Sequence, residues 1–184
     1  MGQKSLSFLK NTNRTFDNIL DSKFNHVSDN VVGTSTTHNN ITDAADAGTL
    51  TISAGRLNVG TIIRVTSFGY VLDNNGTDTL TPILNLTHGS TTVALATGAA
   101  LDVADNDIVS AESVIHILTT GTSGTFAATS KIITNTGDTV VRSVNTSTAI
   151  DTTVATVIAL NVDWSAANAD NEYTHISHTA QIFG

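Results

Sequence analysis

Cysteine is absent from all 184 residues, which removes disulfide scaffolds, zinc fingers and thiol catalysis in one step. Proline occurs once, as Pro82, and with 13 glycines this excludes a collagen-like or Pro-rich linker protein. Glutamate is confined to Glu112 and Glu172, lysine occurs four times and aromatic residues make up 5%. No run of 18 apolar residues exists to span a bilayer as a helix, and the opening MGQKSLSFLKNTNRTF lacks the apolar core of a secretory signal, so export by that route is not expected. No repeat of 20–50 residues is visible, which sets aside solenoids and propellers.

Threonine, at 32 residues, and asparagine, at 17, dominate what is present. Threonine, valine and isoleucine suit a pleated, half-buried surface, whereas polar helix formers are scarce, so the chain reads as β. With 40% hydrophobic and 13% charged residues it can bury a core. Charge is unevenly placed. Residues 1–23 carry Lys4, Lys10, Arg14 and Lys23 against Asp17 and Asp21, a balance of +2, so the remainder holds −10 of the total −8. An acidic body repels phosphate backbones and anionic lipid, so neither nucleic-acid nor membrane binding is expected of it.

Two regions are expected: an N-terminal arm and linker over 1–48, and a β domain over 49–184. In the arm, Phe16, Ile19, Leu20 and Phe24 fall at helical spacing behind a candidate N-cap at Thr15, which predicts a short helix able to pack on the β domain or on a partner. From Thr49 onward, β-branched runs alternate with Gly, Asn and Asp clusters. Nine strands are predicted, at 49–53, 61–72, 79–88, 91–96, 109–120, 124–134, 139–146, 154–165 and 172–183. Pro82 cannot donate a ladder hydrogen bond and predicts an edge or a bulge for the third. Strands of this length and number suit an all-β, antiparallel sandwich of jelly-roll type with an extended or partly helical arm. An immunoglobulin-like sandwich is less favoured, because the Cys pair is missing and the one tryptophan, Trp164, lies near the end.

Catalytic constellations are not visible. No G-x-S-x-G motif occurs, and histidines are scattered at 26, 38, 88, 116, 175 and 178. A glycosidase needs paired carboxylates across a cleft, whereas the aspartates here sit mostly in turns. His175 and His178 would point to opposite faces of a regular strand, which spoils chelation by the pair. Asp73–Asp78 and Asp102–Asp107 cluster hard oxygen ligands, but neither completes an EF-hand loop and Asx-rich turns explain both. Gly121-Thr122-Ser123-Gly124 lacks the lysine of a P-loop and reads as a hairpin tip. Phe68, Tyr70 and Trp164 are candidates for sugar stacking, with core packing the cheaper explanation. No catalytic residue, metal site or cofactor is therefore predicted.

Five segments remain: Leu57–Arg64 (LNVGTIIR), Asn75–Thr81 (NGTDTLT), Leu118–Thr125 (LTTGTSGT), Ile150–Thr153 (IDTT) and Leu160–Ala166 (LNVDWSA). Together they resemble a domain of tailed-bacteriophage virion proteins over about residues 49–183, in which the pattern runs through VGD-x-IR, NGTPTLT, a Gly-rich hairpin, VDTT and W-x-x-A. The sequence departs from it with Thr61 in place of Asp, with Pro82 in the strand after NGT, and with His116 where a charged residue is common. The resemblance implies a jelly roll used in capsid decoration or cement proteins, head fibres and tail-associated parts, often trimeric and without catalytic motifs. The expectation is a non-enzymatic virion structural protein, a capsid decoration or cement protein that forms a homo-oligomer, a trimer, and whose arm, through Phe16, Ile19, Leu20 and Phe24, docks on the major capsid protein or another virion subunit. The alternative is a carbohydrate- or receptor-binding module of a phage tail or fibre.

Overall fold

Period-two alternation sorts the long strands into a buried and a solvent face. In the computed structural model, which describes residues 19–32, 39–40, 50–73, 76–135, 140–166, 168 and 171–184, Gly124–Thr134 buries Gly124, Phe126, Ala128, Ser130, Ile132 and Thr134 and leaves the residues between them half-buried or exposed. The strands in chain order are β1 (Ile19–Val32), β2 (Asn39–Asn40), β3 (Leu50–Ile52), β4 (Ile62–Asp73), β5 (Thr79–His88), β6 (Thr91–Thr97), β7 (Leu101–Asp102), β8 (Ile108–Thr119), β9 (Gly124–Thr134), β10 (Val140–Ile150), β11 (Thr156–Trp164) and β12 (Glu172–Phe183). No helix occurs among the described residues.

Two antiparallel sheets form a sandwich of jelly-roll type. The first is six-stranded in the order β1-β12-β4-β8-β9-β10. In the second, β11 and β5 lie at the centre, with β2 and β3 along the outer side of β11, and β6 and β7 along the outer side of β5. Ile63, Val65, Ile115, Ile117, Phe126, Ile132 and Tyr173 of the first sheet meet Leu80, Leu84, Leu86, Leu95, Ile158, Leu160 and Trp164 of the second in one core cluster. At roughly 1.5–3 kcal/mol for each fully buried large aliphatic or aromatic side chain, this layer is the main favourable term of folding.

All nine expected strands are present. The arm differs from expectation: the predicted helix is absent where it can be seen, because Ile19–Val32 runs as a strand beside β12, with Ile19 opposite Phe183 and Phe24 opposite Thr179. A ten-residue helix is marginal alone, whereas the edge of β12 offers backbone partners along the whole segment. Phe16 lies outside the described residues.

Pro82 meets its expectation in part: the strand is not an edge, but its pairing with β6 shifts register between Leu84 and Asn85. β5 is interior, but its partner on one side changes at Pro82, from β6, ending at Thr97, to β7, which pairs Leu101 with Leu80. The Pro82 carbonyl accepts from Gly98 N at 2.7 Å, so the side of the strand lacking an N–H faces the gap between β6 and β7. A Cβ at Gly98 would come within 2.7 Å of the Pro82 ring, and glycine lets the chain pass there.

Candidate functional site

The familiar segments resolve into two hydrogen-bonded loop junctions. At one, Asn58 N donates to Thr61 Oγ1 at 3.0 Å and Thr61 N to the Asn58 carbonyl at 3.0 Å, so the Thr61 hydroxyl serves as the turn acceptor where the resembled pattern has a carboxylate. Gly60 occupies the left-handed region of that turn at φ +87°. Thr152 closes onto the β8–β9 hairpin: its Oγ1 accepts Gly121 N at 2.9 Å, its N donates to the Gly121 carbonyl at 3.1 Å, and its carbonyl accepts Gly55 N at 3.0 Å. Asp151 Oδ1 accepts both the N–H and the hydroxyl of Thr153, at 2.9 and 2.6 Å, and these bonds hold its carboxyl below its usual pKa. At the other junction, Thr79 N donates to Ser165 Oγ at 2.8 Å, Ser165 N returns a bond to the Thr79 carbonyl at 2.9 Å, and Asn171 Nδ2 donates to Asp78 Oδ2 at 2.8 Å. These segments therefore tie loops together. Thr152→Val should cost about 1–2 kcal/mol, by leaving the Gly121 N–H without its acceptor, and leave the far-ultraviolet circular dichroism unchanged; chemical denaturation reads both.

The candidate cation loop at Asp102–Asp107 is likewise consumed by turn geometry. Asp107 Oδ2 accepts Ala104 N at 2.9 Å, and Asn106 takes a left-handed φ of 69°. Asp78 of the other candidate loop is bonded to Asn171. Among the described residues no group of three or more His, Cys, Asp or Glu side chains is placed to hold a metal ion.

The two late histidines depart from expectation. The registers of β12 on β4 shift between His175 and Ser177, and those of β1 on β12 between His26 and Asp29, so a bulge at Ile176 reverses the parity of β12. Tyr173 and His175 before the bulge, and His178, Ala180 and Ile182 after it, are therefore all buried on the inner face. His175 and His178 are each 0% exposed, with ring centroids 6.0 Å apart. His178 Nε2 donates to the Ile158 carbonyl of the facing sheet at 3.0 Å, which puts the proton of the neutral ring on Nε2. Both nitrogens of His175 lack hydrogen-bond partners. Burial lowers the pKa of both rings from 6.5 to about 4, with the neighbouring imidazole adding to the effect at His178. Among the described residues no third His, Cys, Asp or Glu side chain is grouped with these two neutral imidazoles to hold a metal ion.

What remains open to solvent is the outer face of the six-stranded sheet. Arg64, Thr66, Phe68 and Tyr70 alternate with the inward Ile63, Val65, Ser67, Gly69 and Val71 on β4. Phe68 is 37% exposed and Tyr70 half-buried, so core packing accounts for Trp164, at 2%, but not for these two rings. Register places Thr179, Thr66, Glu112, Lys131 and Arg142 in one row across five strands, with Gln181, Arg64, Val114, Thr129 and Val144 in the next. Lys131 Nζ lies 3.1 Å from Glu112 Oε2. The Arg64 guanidinium lies over the Phe183 ring at 5.6 Å. Thr66 and Thr179 share a hydroxyl hydrogen bond of 2.6 Å. Two shallow troughs of about 300 and 310 Å³ flank Glu112 and Val114, the first running to Arg142 and Val144 and the second to Arg64 and Gln181. The arrangement offers an exposed ring, hydroxyls, an amide and charged groups on a rigid sheet. Chain patterning places Phe68 and Tyr70 on one strand face, and their arginine-bearing neighbours are the signal that this face is the wet one.

No protein-family model and no curated protein matches the chain. Among solved structures it is similar to a lectin, UEA-II, complexed with galactose, and to lectin II from Ulex europaeus, each at a TM-score of 0.45 and 9% identity, covering 90% of this chain and 100% of the other. It is also similar to the metal-free form of lectin I-B4 from Griffonia simplicifolia, at a TM-score of 0.40 and 7% identity over 88% of this chain and 92% of that one. At these scores the likeness is one of general shape, and the strand order itself carries the description of the fold as a jelly-roll sandwich.

Proposed function

We propose that the chain is a non-enzymatic recognition module, binding a carbohydrate or a receptor surface through the solvent face of its six-stranded sheet, in the tail or fibre of a tailed-bacteriophage virion. The observation that carries this reading is the outward placement of Phe68, 37% exposed, with Tyr70 on the same face of β4, the sheet face whose two troughs are edged by Arg64, Glu112, Gln181, Lys131 and Arg142. A ring face packs on the apolar face of a sugar, while flanking hydroxyls, amides and charges satisfy its polar edge. The phage context rests on the resemblance of the five segments. A glycan array probed with the full chain tests the reading: binding that falls at least about tenfold in Phe68→Ala supports it, and binding indifferent to that change contradicts it.

The same resemblance favours a second reading, a capsid decoration or cement protein, trimeric and anchored on the major capsid protein by its N-terminal residues. Because β1 pairs with β12, truncation must stop before Ile19 to leave the sheet whole. Loss of binding to undecorated particles on removal of residues 1–18, with no glycan bound by either form, would favour this second reading over the first.

A further inference from the structure

Positive charge is distributed unevenly in this acidic chain. Beyond residue 23 the sequence holds only four Lys and Arg residues, Arg56, Arg64, Lys131 and Arg142, against fourteen Asp and Glu. Three of the four cations lie on the outer face of the six-stranded sheet, in two adjacent cross-strand rows, with Glu112 as the acid between them. Lys131 is paired with Glu112 at 3.1 Å, so the pair is close to neutral. Arg64 and Arg142 make no ion pair among the described residues, and both are exposed. A local excess of positive charge at the two ends of the troughs is left on a protein whose net charge is −8.

Spacing then selects the form of the ligand. Arg64 on β4 and Arg142 on β10 are separated by β8 and β9, and three strand spacings amount to roughly 14 Å. That exceeds the Debye length of about 8 Å at physiological salt, so each guanidinium acts as a separate site. One small anion meets one end or the other; a chain lying across the strands meets both. Between the ends lie Val114 and Thr129, a neutral stretch suited to the ring faces of uncharged or spaced residues.

Resting on the recognition reading above, we propose that the ligand is a linear anionic polysaccharide, carboxylated or sulfated, lying across β4, β8, β9 and β10, with its acid groups held by Arg64 at one end and Arg142 at the other. Calorimetric titration of the full chain with a polyuronate, a dextran sulfate, neutral dextran and polyglutamate tests it. The proposal expects binding to the polyuronate or the dextran sulfate, the stronger of the two naming the acid group. It also expects about tenfold weakening in each of Arg64→Gln and Arg142→Gln, and weakening by added sodium chloride. Both substitutions are at exposed positions, and an unchanged melting temperature verifies that folding is intact. Equal affinity for polyglutamate would reveal an unselective anion surface and overturn the proposal. Neutral dextran binding that is insensitive to both arginines would overturn the anionic ligand and keep the recognition reading, whereas no binding to any of the three polysaccharides would overturn the proposal and leave the recognition reading to be decided by the glycan array.

Discussion

Between pH 7 and pH 5 the protein should lose roughly 2 kcal/mol of stability for each of the two buried imidazoles. His175 and His178 are 0% exposed, and burial holds both pKa values near 4, whereas in the unfolded chain they return to about 6.5. In the window between those values the unfolded chain binds protons that the folded one refuses, so stability is full above about pH 6.5 and falls as pH drops toward 4. Each unit of separation is worth about 1.4 kcal/mol at most, and for a chain of this size the combined loss should lower the melting temperature by on the order of 10 °C. The window from pH 7 to 5 lies above the range in which ordinary carboxylates titrate, which isolates the histidine contribution. Scanning calorimetry as a function of pH measures the slope, and His175→Gln with His178→Gln should flatten it even if the variant is less stable at pH 7. An unchanged slope in the double variant would mean that the imidazoles are hydrated and protonate freely in the folded protein.

The second large effect concerns a glycine. Gly69 faces inward on β4, and Tyr173 of β12 lies over it: a Cβ at Gly69 would fall on the Tyr173 hydroxyl and ring and within 2.5 Å of the Thr174 carbonyl. The phenol is fully buried, burial pushes its pKa upward, and its hydroxyl has no hydrogen-bond partner. The ring therefore has no polar anchor that would let it turn away at little cost. Gly69→Ala should cost at least about 3 kcal/mol, at the upper end of overpacking effects, because one of the opposing atoms belongs to backbone. Pairing it with Tyr173→Leu should recover part of that loss in a double-mutant cycle, and the remaining clash with the Thr174 carbonyl should keep recovery incomplete. A neutral Gly69→Ala would contradict the packing of β12 on β4 described above.

Local sequence carried the sandwich because its determinants are local. β5, β9 and β12 begin and end where alternation and Gly-containing turns predict, at Thr79–His88, Gly124–Thr134 and Glu172–Phe183. Short pairings at Asn39–Asn40 and Leu101–Asp102 have too few residues to show a period, and they form because β11 and β5 offer backbone partners distant in sequence. The arm's letters predict a helix for a related reason: Ile19, Leu20 and Phe24 match a helical stripe, and nothing near them announces the β12 edge beside which they lie. Parity failed at one residue. A bulge at Ile176 leaves no mark in the letters around it, yet it turns His178 from solvent to core and makes a buried pair of two histidines expected on opposite faces. On β4 the expectation of core packing fails for Phe68 and Tyr70, because their side chains alternate onto the same outer face as Arg64 and Thr66. The two troughs were not legible, since they arise from registers among β12, β4, β8, β9 and β10.

If recognition occurs on the outer face of the six-stranded sheet and not at the loop ends, amide chemical shifts recorded during titration with a bound glycan should move mainly along Arg64–Phe68, Glu112–Val114, Thr129–Lys131 and Arg142–Val144, on the strands that edge the troughs. Shifts confined to the loop cluster of Gly55, Asn58, Gly121 and Thr152, with the sheet face silent, would contradict it.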